Sequence, residues 1–301
     1  MPAPQPPSIP SPRLSPLEDE EFLFDTIADI TREFKDTVRR RYAKECSDLG
    51  SNVREEFLAR GFVPHEWCDG LSEFYESTNA FIYETLVWNR RALKNEMRGW
   101  VGNYLARQSH GPSRVLTFGD GLGIESLYLG MAGHQVDYFE VSAKCLRFSQ
   151  ALAARMSTEL RIIKDPKEIP LGYYDAIVCL DVLEHIPDPQ AIVRSLAAWL
   201  RPGGKLIVHA PFWYLAPAVQ THIRANRRFS GDWRTLYKPS GFHPVDGLLF
   251  WNPIVFEKAG GEQPSNATVA KRLHLEFGGV LLGIGRFFNW PHIQMTRLLS
   301  R

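Results

Sequence analysis

Two hydrophobic periodicities divide the chain. Up to about residue 110, apolar side chains recur at three- and four-residue steps, the repeat of one helix face. Ser15-Pro16-Leu17-Glu18 has the form of a capping box with proline at the first helical position, which predicts a helix start. Phe24, Ile27, Ile30, Phe34 and Val38 continue from it as a single apolar face. A second helix is expected over residues 52–60 with Gly61 as its stop, and a third over much of 71–107 before Gly111-Pro112.

From Arg114 the pattern changes to short β-rich runs separated by helical stretches, the mark of βαβ units and a parallel sheet. Strands are predicted at 114–118, 135–140, 160–164, 174–180 and 205–210, with helices at 124–132, 144–157 and 190–200. Residues 247–250 and 254–257 then flank Trp251-Asn252-Pro253, a turn joining two last strands. The organisation read from this is a Pro-rich disordered arm (1–14), a helical extension (15–110) that is part structural cover and part lid, an α/β domain (111–259) with a substrate-capping insertion at 211–240, and a tail (260–301).

Composition narrows the function without naming it. Hydrophobic residues at 44% and charged residues at 23% are the balance of an ordinary globular protein. A net charge of +1 gives no global attraction to nucleic acid, so a small-molecule substrate is expected and a nucleic-acid partner is not. Cys46, Cys68, Cys145 and Cys179 lie too far apart in sequence for a zinc ribbon or redox motif and read as reduced thiols. With no basic-then-apolar leader and no apolar run of about 18 residues, no spanning segment is expected, and the cytoplasm is the expected compartment.

The chemistry starts at Val115-Leu116-Thr117-Phe118-Gly119-Asp120-Gly121-Leu122-Gly123, an apolar strand running into three glycines and a helix. Glycines at such a turn permit positive φ and let a nucleotide-like ligand approach the backbone. The spacing is G-x-G-x-G rather than the dinucleotide G-x-G-x-x-G, which disfavours a nicotinamide cofactor. About twenty residues on, the second strand ends in Glu140, where a carboxylate can accept both hydroxyls of a ribose.

These residues resemble the class I S-adenosylmethionine-dependent methyltransferases. The resemblance continues through Tyr174–Ile186, similar to the family's fourth strand and the segment after it, and through Arg201-Pro202-Gly203-Gly204, similar to the turn into the fifth. It implies a doubly wound, seven-stranded Rossmann-like sheet with an N-terminal helical extension, and S-adenosylmethionine as cofactor. It places Gly119, Gly121 and Gly123 against the methionine part, Glu140 on the ribose, Asp165 near the adenine amino group, and Leu180 and Asp181 near the sulfonium. Where the family often has Asp or Glu at the start of the first motif this chain has Thr117, and Asp120 stands as the substitute.

Asp181-Val182-Leu183-Glu184-His185 resembles the segment in ubiquinone-type O-methyltransferases where acidic residues and a histidine can hold a divalent cation. The preferred reading is no metal, with Asp181, Glu184 and His185 as the candidates for one. Methyl transfer to a small-molecule oxygen is the expected reaction. Its catalytic candidates are His185 and His222, each of which could equally be a structural histidine. The insertion offers Phe212, Trp213, Tyr214, Trp233 and Tyr237 as apolar surface and Arg224, Arg227 and Arg228 for an anion. Residues 277–298 could pack on the domain, form a homodimer contact or rest on a membrane surface, with packing or dimerisation the preferred reading. A non-catalytic binding or scaffold protein on the same fold is the alternative.

Overall fold

The computed structural model describes residues 10–108, 111–248, 251–260, 269–285 and 287. Seven strands form one sheet: β1 (Arg114–Phe118), β2 (Gln135–Phe139), β3 (Arg161–Ile163), β4 (Tyr174–Leu180), β5 (Leu200–His209), β6 (Phe242–Gly247) and β7 (Ile254–Lys258). Their spatial order is β3-β2-β1-β4-β5-β7-β6. β1 to β5 are parallel, and β7 runs antiparallel between β5 and β6. The order reverses between β1 and β4, and it is outside the carboxyl ends at such a switch point that α/β sheets bind ligands.

Alternation along each strand sorts the core into two layers. Val115, Val178 and Ile207 face a cluster built with Leu86, Val101, Leu127 and Phe148. Their neighbours Leu116, Ile177, Leu206 and Val208 face the opposite cluster, with Val193, Trp213, Phe256 and Leu275.

Six helices precede the sheet: α1 (Glu20–Thr31), α2 (Lys35–Ser47), α3 (Ser51–Ala59), α4 (Gly70–Ser77), α5 (Ala80–Arg90) and α6 (Ala92–Gln108). α1, α2, α5 and α6 share the first face with α7 (Ile124–Met131) and α8 (Ala143–Arg155), while α3 and α4 pack a separate small cluster around Phe57 and Phe74. α9 (Pro189–Trp199) lies on the second face, with α10 (Trp233–Leu236) in the insertion and α11 (Val269–Gly285) after β7.

Several sequence expectations are corrected. Ser15–Glu18 is a 3-10 turn with no side-chain cap, and the working cap is Asp19, whose carboxylate accepts the Phe22 amide. The single face from Phe24 to Val38 is broken because Arg32, at φ 63, closes α1; Phe34 falls between two helices and is 87% exposed. The expected long third helix is α4, α5 and α6, separated where Thr78 and Arg91 turn extended. The strand expected at 247–250 lies earlier, at Phe242–Gly247, and its residues 249 and 250 fall outside the described residues. Within the expected mobile arm, Leu14 is buried and the Pro12 carbonyl accepts from Arg98 at 2.9 Å, while residues 1–9 lie outside the described set.

Candidate functional site

The β1–α7 turn is built as its glycines require. Gly119, Gly121 and Gly123 have φ of 70, 61 and 72°, a region that L side chains adopt at a cost. The loop is pinned from below. The Gly119 amide donates to the Phe139 carbonyl at 2.9 Å, and the Tyr138 hydroxyl donates to the Gly121 carbonyl.

Glu140 closes the turn from the side. One carboxylate oxygen accepts the Gly121 amide at 2.9 Å, and the other accepts the Val141 and Ser142 amides, each at 2.8 Å. Burial pushes its carboxyl above the usual range, with those three amides pulling the other way. Glu140 thus stands beside the glycine loop, where the resemblance sets the ribose.

Thr117, in place of the family's acid, acts through Ser126. The two buried hydroxyls are 2.6 Å apart. Ser126 in turn donates to Asp120, whose carboxylate also accepts the Ser126 and Glu125 amides at 2.7 and 3.2 Å. Asp120 is therefore committed to the first turn of α7, where negative charge suits the helix dipole. Burial and the neighbouring Glu125 carboxylate raise its pKa well above the ordinary value.

Asp181 sits at the carboxyl end of β4 with φ 60°, directly after the buried Leu180. One oxygen accepts from Trp88 Nε1 at 2.8 Å and Lys94 Nζ at 2.9 Å; the other lies 2.6 Å from His209 Nδ1. Burial would raise its pKa, but Lys94 and His209 hold it well below the usual carboxylate range. Lys94 also lies 3.5 Å from Glu125, which Arg98 approaches at 3.2 Å. Burial would likewise raise Glu125, yet these two cations hold it at about 2. Asp165 is exposed beyond β3, where it accepts the Lys167 amide and opens a short 3-10 turn.

A second polar group forms where the insertion crosses the end of β4. Glu184 is buried, and neither carboxylate oxygen has a hydrogen-bond partner. His222 Nε2 lies 4.0 Å from Glu184 Oε1, and His222 Nδ1 donates to the Tyr214 carbonyl at 2.8 Å, which leaves Nε2 as the acceptor nitrogen. His185 Nδ1 is 3.2 Å from the Tyr75 hydroxyl of α4. Burial holds His185 down to about 4 and His222 well below its usual value, while burial and the Asp181 charge raise Glu184.

The cation candidates are thereby redistributed. Asp181 is taken by Trp88, Lys94 and His209 and leaves the set; Glu184, His185 and His222 bring one ligand atom each within 4.8 Å of one another. His185 and His222, expected as separate candidates, lie edge to face with ring centroids 4.7 Å apart.

The sequence reading leaves out Lys94 and Arg98, and it takes Trp88 and Tyr75 only as part of an aromatic segment suited equally to core or pocket. A signal for the first two exists: Lys94 and Arg98 fall on the same helix stripe as Val101 and Leu105, so two cations occupy apolar positions. For Tyr75 and Trp88 the choice between core and pocket turns on the insertion and β4 being placed against them.

Comparison with known proteins decides the family. A methyltransferase-domain family model matches residues 60–242, more than half of the chain. The chain is a class I S-adenosylmethionine-dependent methyltransferase by family. It is 33% identical over 107 residues to the ubiquinone biosynthesis O-methyltransferase of Xanthomonas axonopodis pv. citri, covering 34% of this chain and 45% of that protein. It is also 33% identical over 114 residues to the enzyme of that name from Bordetella pertussis, covering 35% and 45%. The chain thus spans less than half the length of these curated relatives. Among solved structures, an S-adenosylmethionine dependent methyltransferase from Mesorhizobium loti is 13% identical, with a TM-score of 0.41 over 55% of this chain and all of that one. The methyltransferase's described residues include no helix long and apolar enough to cross a membrane.

Proposed function

We propose that this methyltransferase moves the methyl group of S-adenosylmethionine to an oxygen of a small-molecule acceptor held in the Glu184–His185–His222 chamber. The observation that carries the reading is the buried Glu184 carboxyl, without a partner and facing the acceptor nitrogen of His222. A buried polar group left unpaired is costly, so such groups collect where a ligand will meet them.

The cofactor's sulfonium supplies an already electrophilic methyl, and the chain's own task is alignment, water exclusion and proton handling. Gly119, Gly121 and Gly123 admit the methionine part, Glu140 takes the ribose, Asp165 serves the adenine edge, and Leu180 and Asp181 border the sulfonium end, while Asp120 holds the glycine loop to α7. Trp88 and Lys94 reach that end from α5 and α6, which supports reading the helical extension as a lid. His222 Nε2 would take the proton of the acceptor hydroxyl as that oxygen is methylated, and Tyr75 and His185 would orient the acceptor. Glu184, His185 and His222 are also the residues that would hold a divalent cation on this chain; its chemistry would be polarisation of the acceptor oxygen, and no step above depends on it.

The test is twofold. Isothermal titration with S-adenosylhomocysteine reads cofactor binding, and transfer of labelled methyl to a panel of phenols reads the reaction. His222→Gln is expected to lower kcat by about a hundredfold, the usual worth of a positioned base, while leaving S-adenosylhomocysteine affinity intact. No binding of either cofactor form overturns the reading outright. Binding with methyl transfer unaffected by His222→Gln removes the base assigned to it.

A further inference from the structure

Helix α11 carries apolar side chains on two sides, and only one side is covered by other described residues. On the inner side Leu275 and Leu282 are buried, and the Trp251 indole donates to the Leu275 carbonyl at 3.1 Å. A methyl group on Gly278 or Gly279 would lie 2.8 or 2.9 Å from the Trp251 ring, so the helix is seated closely on that tryptophan. On the outer side Leu273, Phe277, Val280, Ile284 and Phe287 follow one another at steps of four and three residues. Each is more than half exposed, from 51% at Ile284 to 70% at Phe287. Apolar side chains exposed in one contiguous stripe mark an interaction surface.

Charge selects the occupant. Between Phe277 and Arg301 the sequence holds Arg286, Arg297 and Arg301 and no acidic residue. From 224 to 240 the insertion has Arg224, Arg227, Arg228, Arg234 and Lys238 against Asp232 alone. The insertion abuts α11 directly: Gly231 packs so tightly on Gly279 that a side chain there would strike its carbonyl, and Arg234 pairs with Glu276 at 2.9 Å. In a chain of net charge +1, the sequence that follows the stripe and the insertion segment that abuts it are thus both rich in basic residues.

Such a stripe with a basic rim suits an anionic bilayer, apolar side chains entering the headgroup–acyl boundary and arginines meeting lipid phosphates. A second copy fits less well. The stripe spans about two heptads, short of the three or four of a stable coiled coil, and the copy would bring the same positive rim. We propose that α11 and the adjoining edge of the insertion form a docking surface for an anionic membrane, on which the protein lies without crossing it. The surface is independent of the methyl-transfer reading.

The test is co-sedimentation of the full chain with vesicles of phosphatidylcholine alone and of phosphatidylcholine mixed with phosphatidylglycerol. Binding to the mixed vesicles is expected, weakened by salt and by Arg228→Gln. Phe277→Ser with Ile284→Ser should weaken it roughly tenfold or more, given what burying two such side chains contributes, with S-adenosylhomocysteine affinity unchanged. If that pair loses its cooperative melt, Leu273→Ser with Val280→Ser is read the same way. No preference for anionic vesicles overturns the proposal. So does sedimentation velocity showing a dimer that the same substitutions convert to monomer, which would assign the stripe to a second copy.

Discussion

The Lys94 ammonium lies 2.9 Å from Asp181 and 3.5 Å from Glu125, so one cation on α6 joins the end of β4 to the first turn of α7. All three side chains are largely buried, and removing one partner of a buried pair leaves an uncompensated charge. Lys94→Met should therefore destabilise the protein by about 3 kcal/mol or more, read as the shift of a urea midpoint at constant slope. Trp88→Phe deletes a single donor to the same carboxylate and should cost less, about 1.5–3 kcal/mol. Equal costs for the two variants would mean that the pair does not carry the junction.

That junction marks the boundary of what the sequence discloses. The glycine turn, Glu140 and the strand alternation are local signals, because φ sign, a strand-end acid and period-two burial each follow from a few adjacent residues. The site is non-local. Lys94 reaches Asp181 across 87 residues and Tyr75 reaches His185 across 110, and no periodicity encodes such a meeting. Asp120 shows the opposite failure: its carboxylate stands in the right loop, but the α7 amides five and six residues on claim it first. Helix breaks were lost for a related reason, since Arg32 ends α1 in a left-handed conformation that its residue type does not announce.

The histidines predict a pH signature. His185 is held down to about 4, against about 6.5 in an unfolded chain. Between those values the unfolded state binds the extra proton, so this stabilising contribution is complete above about pH 6.5 and is lost as pH falls toward 4. His185→Phe removes the linkage. Relative to the parent, the variant should gain on the order of 2 kcal/mol between pH 6.5 and 4, a figure reduced for the ring's partial exposure. Melting curves across that range check it; parallel pH profiles for variant and parent would show that His185 does not titrate differently on folding.

Thr117 separates this chain from relatives with an acid at that position. Its hydroxyl meets Ser126 inside the protein, with Asp120 accepting from Ser126 on the far side. Thr117→Val should lose about 1 kcal/mol, the net worth of one buried hydrogen bond with partial rescue by the remaining acceptor. Thr117→Asp places a second carboxylate near Asp120, whose own pKa is already raised, and the like charges should cost several kcal/mol once both are ionised, so that the loss grows as pH rises. Stability measured at two pH values separates these outcomes. Restoring the family's residue is thus expected to harm this chain, and a Thr117→Asp protein as stable as the parent would show that Asp120 is not held in place by Ser126.

The glycine turn allows strain and crowding to be measured apart. A methyl group on Gly119 would sit 2.6 Å from Val182 Cγ2, on a backbone with φ 70°. Gly119→Ala therefore carries two penalties, about 1–2 kcal/mol for the left-handed conformation and a steric term against Val182. Val182→Ala alone removes two methyl groups and should cost about 1–2 kcal/mol. In the double variant the truncated side chain leaves room for the new methyl, so the steric term disappears while the conformational one persists. The double variant should accordingly be more stable than the sum of the singles by about 1 kcal/mol, the coupling expected for residues in direct contact. Gly123→Ala combined with Val182→Ala provides the control, because the clash at Gly123 is with Ser149 Cβ at 2.7 Å and should show no such coupling. Urea denaturation of the five variants gives both cycles. Additivity at Gly119 would locate its requirement for glycine wholly in the backbone angle, and S-adenosylhomocysteine titration of the double variant would then report how far that angle alone sustains the cofactor site.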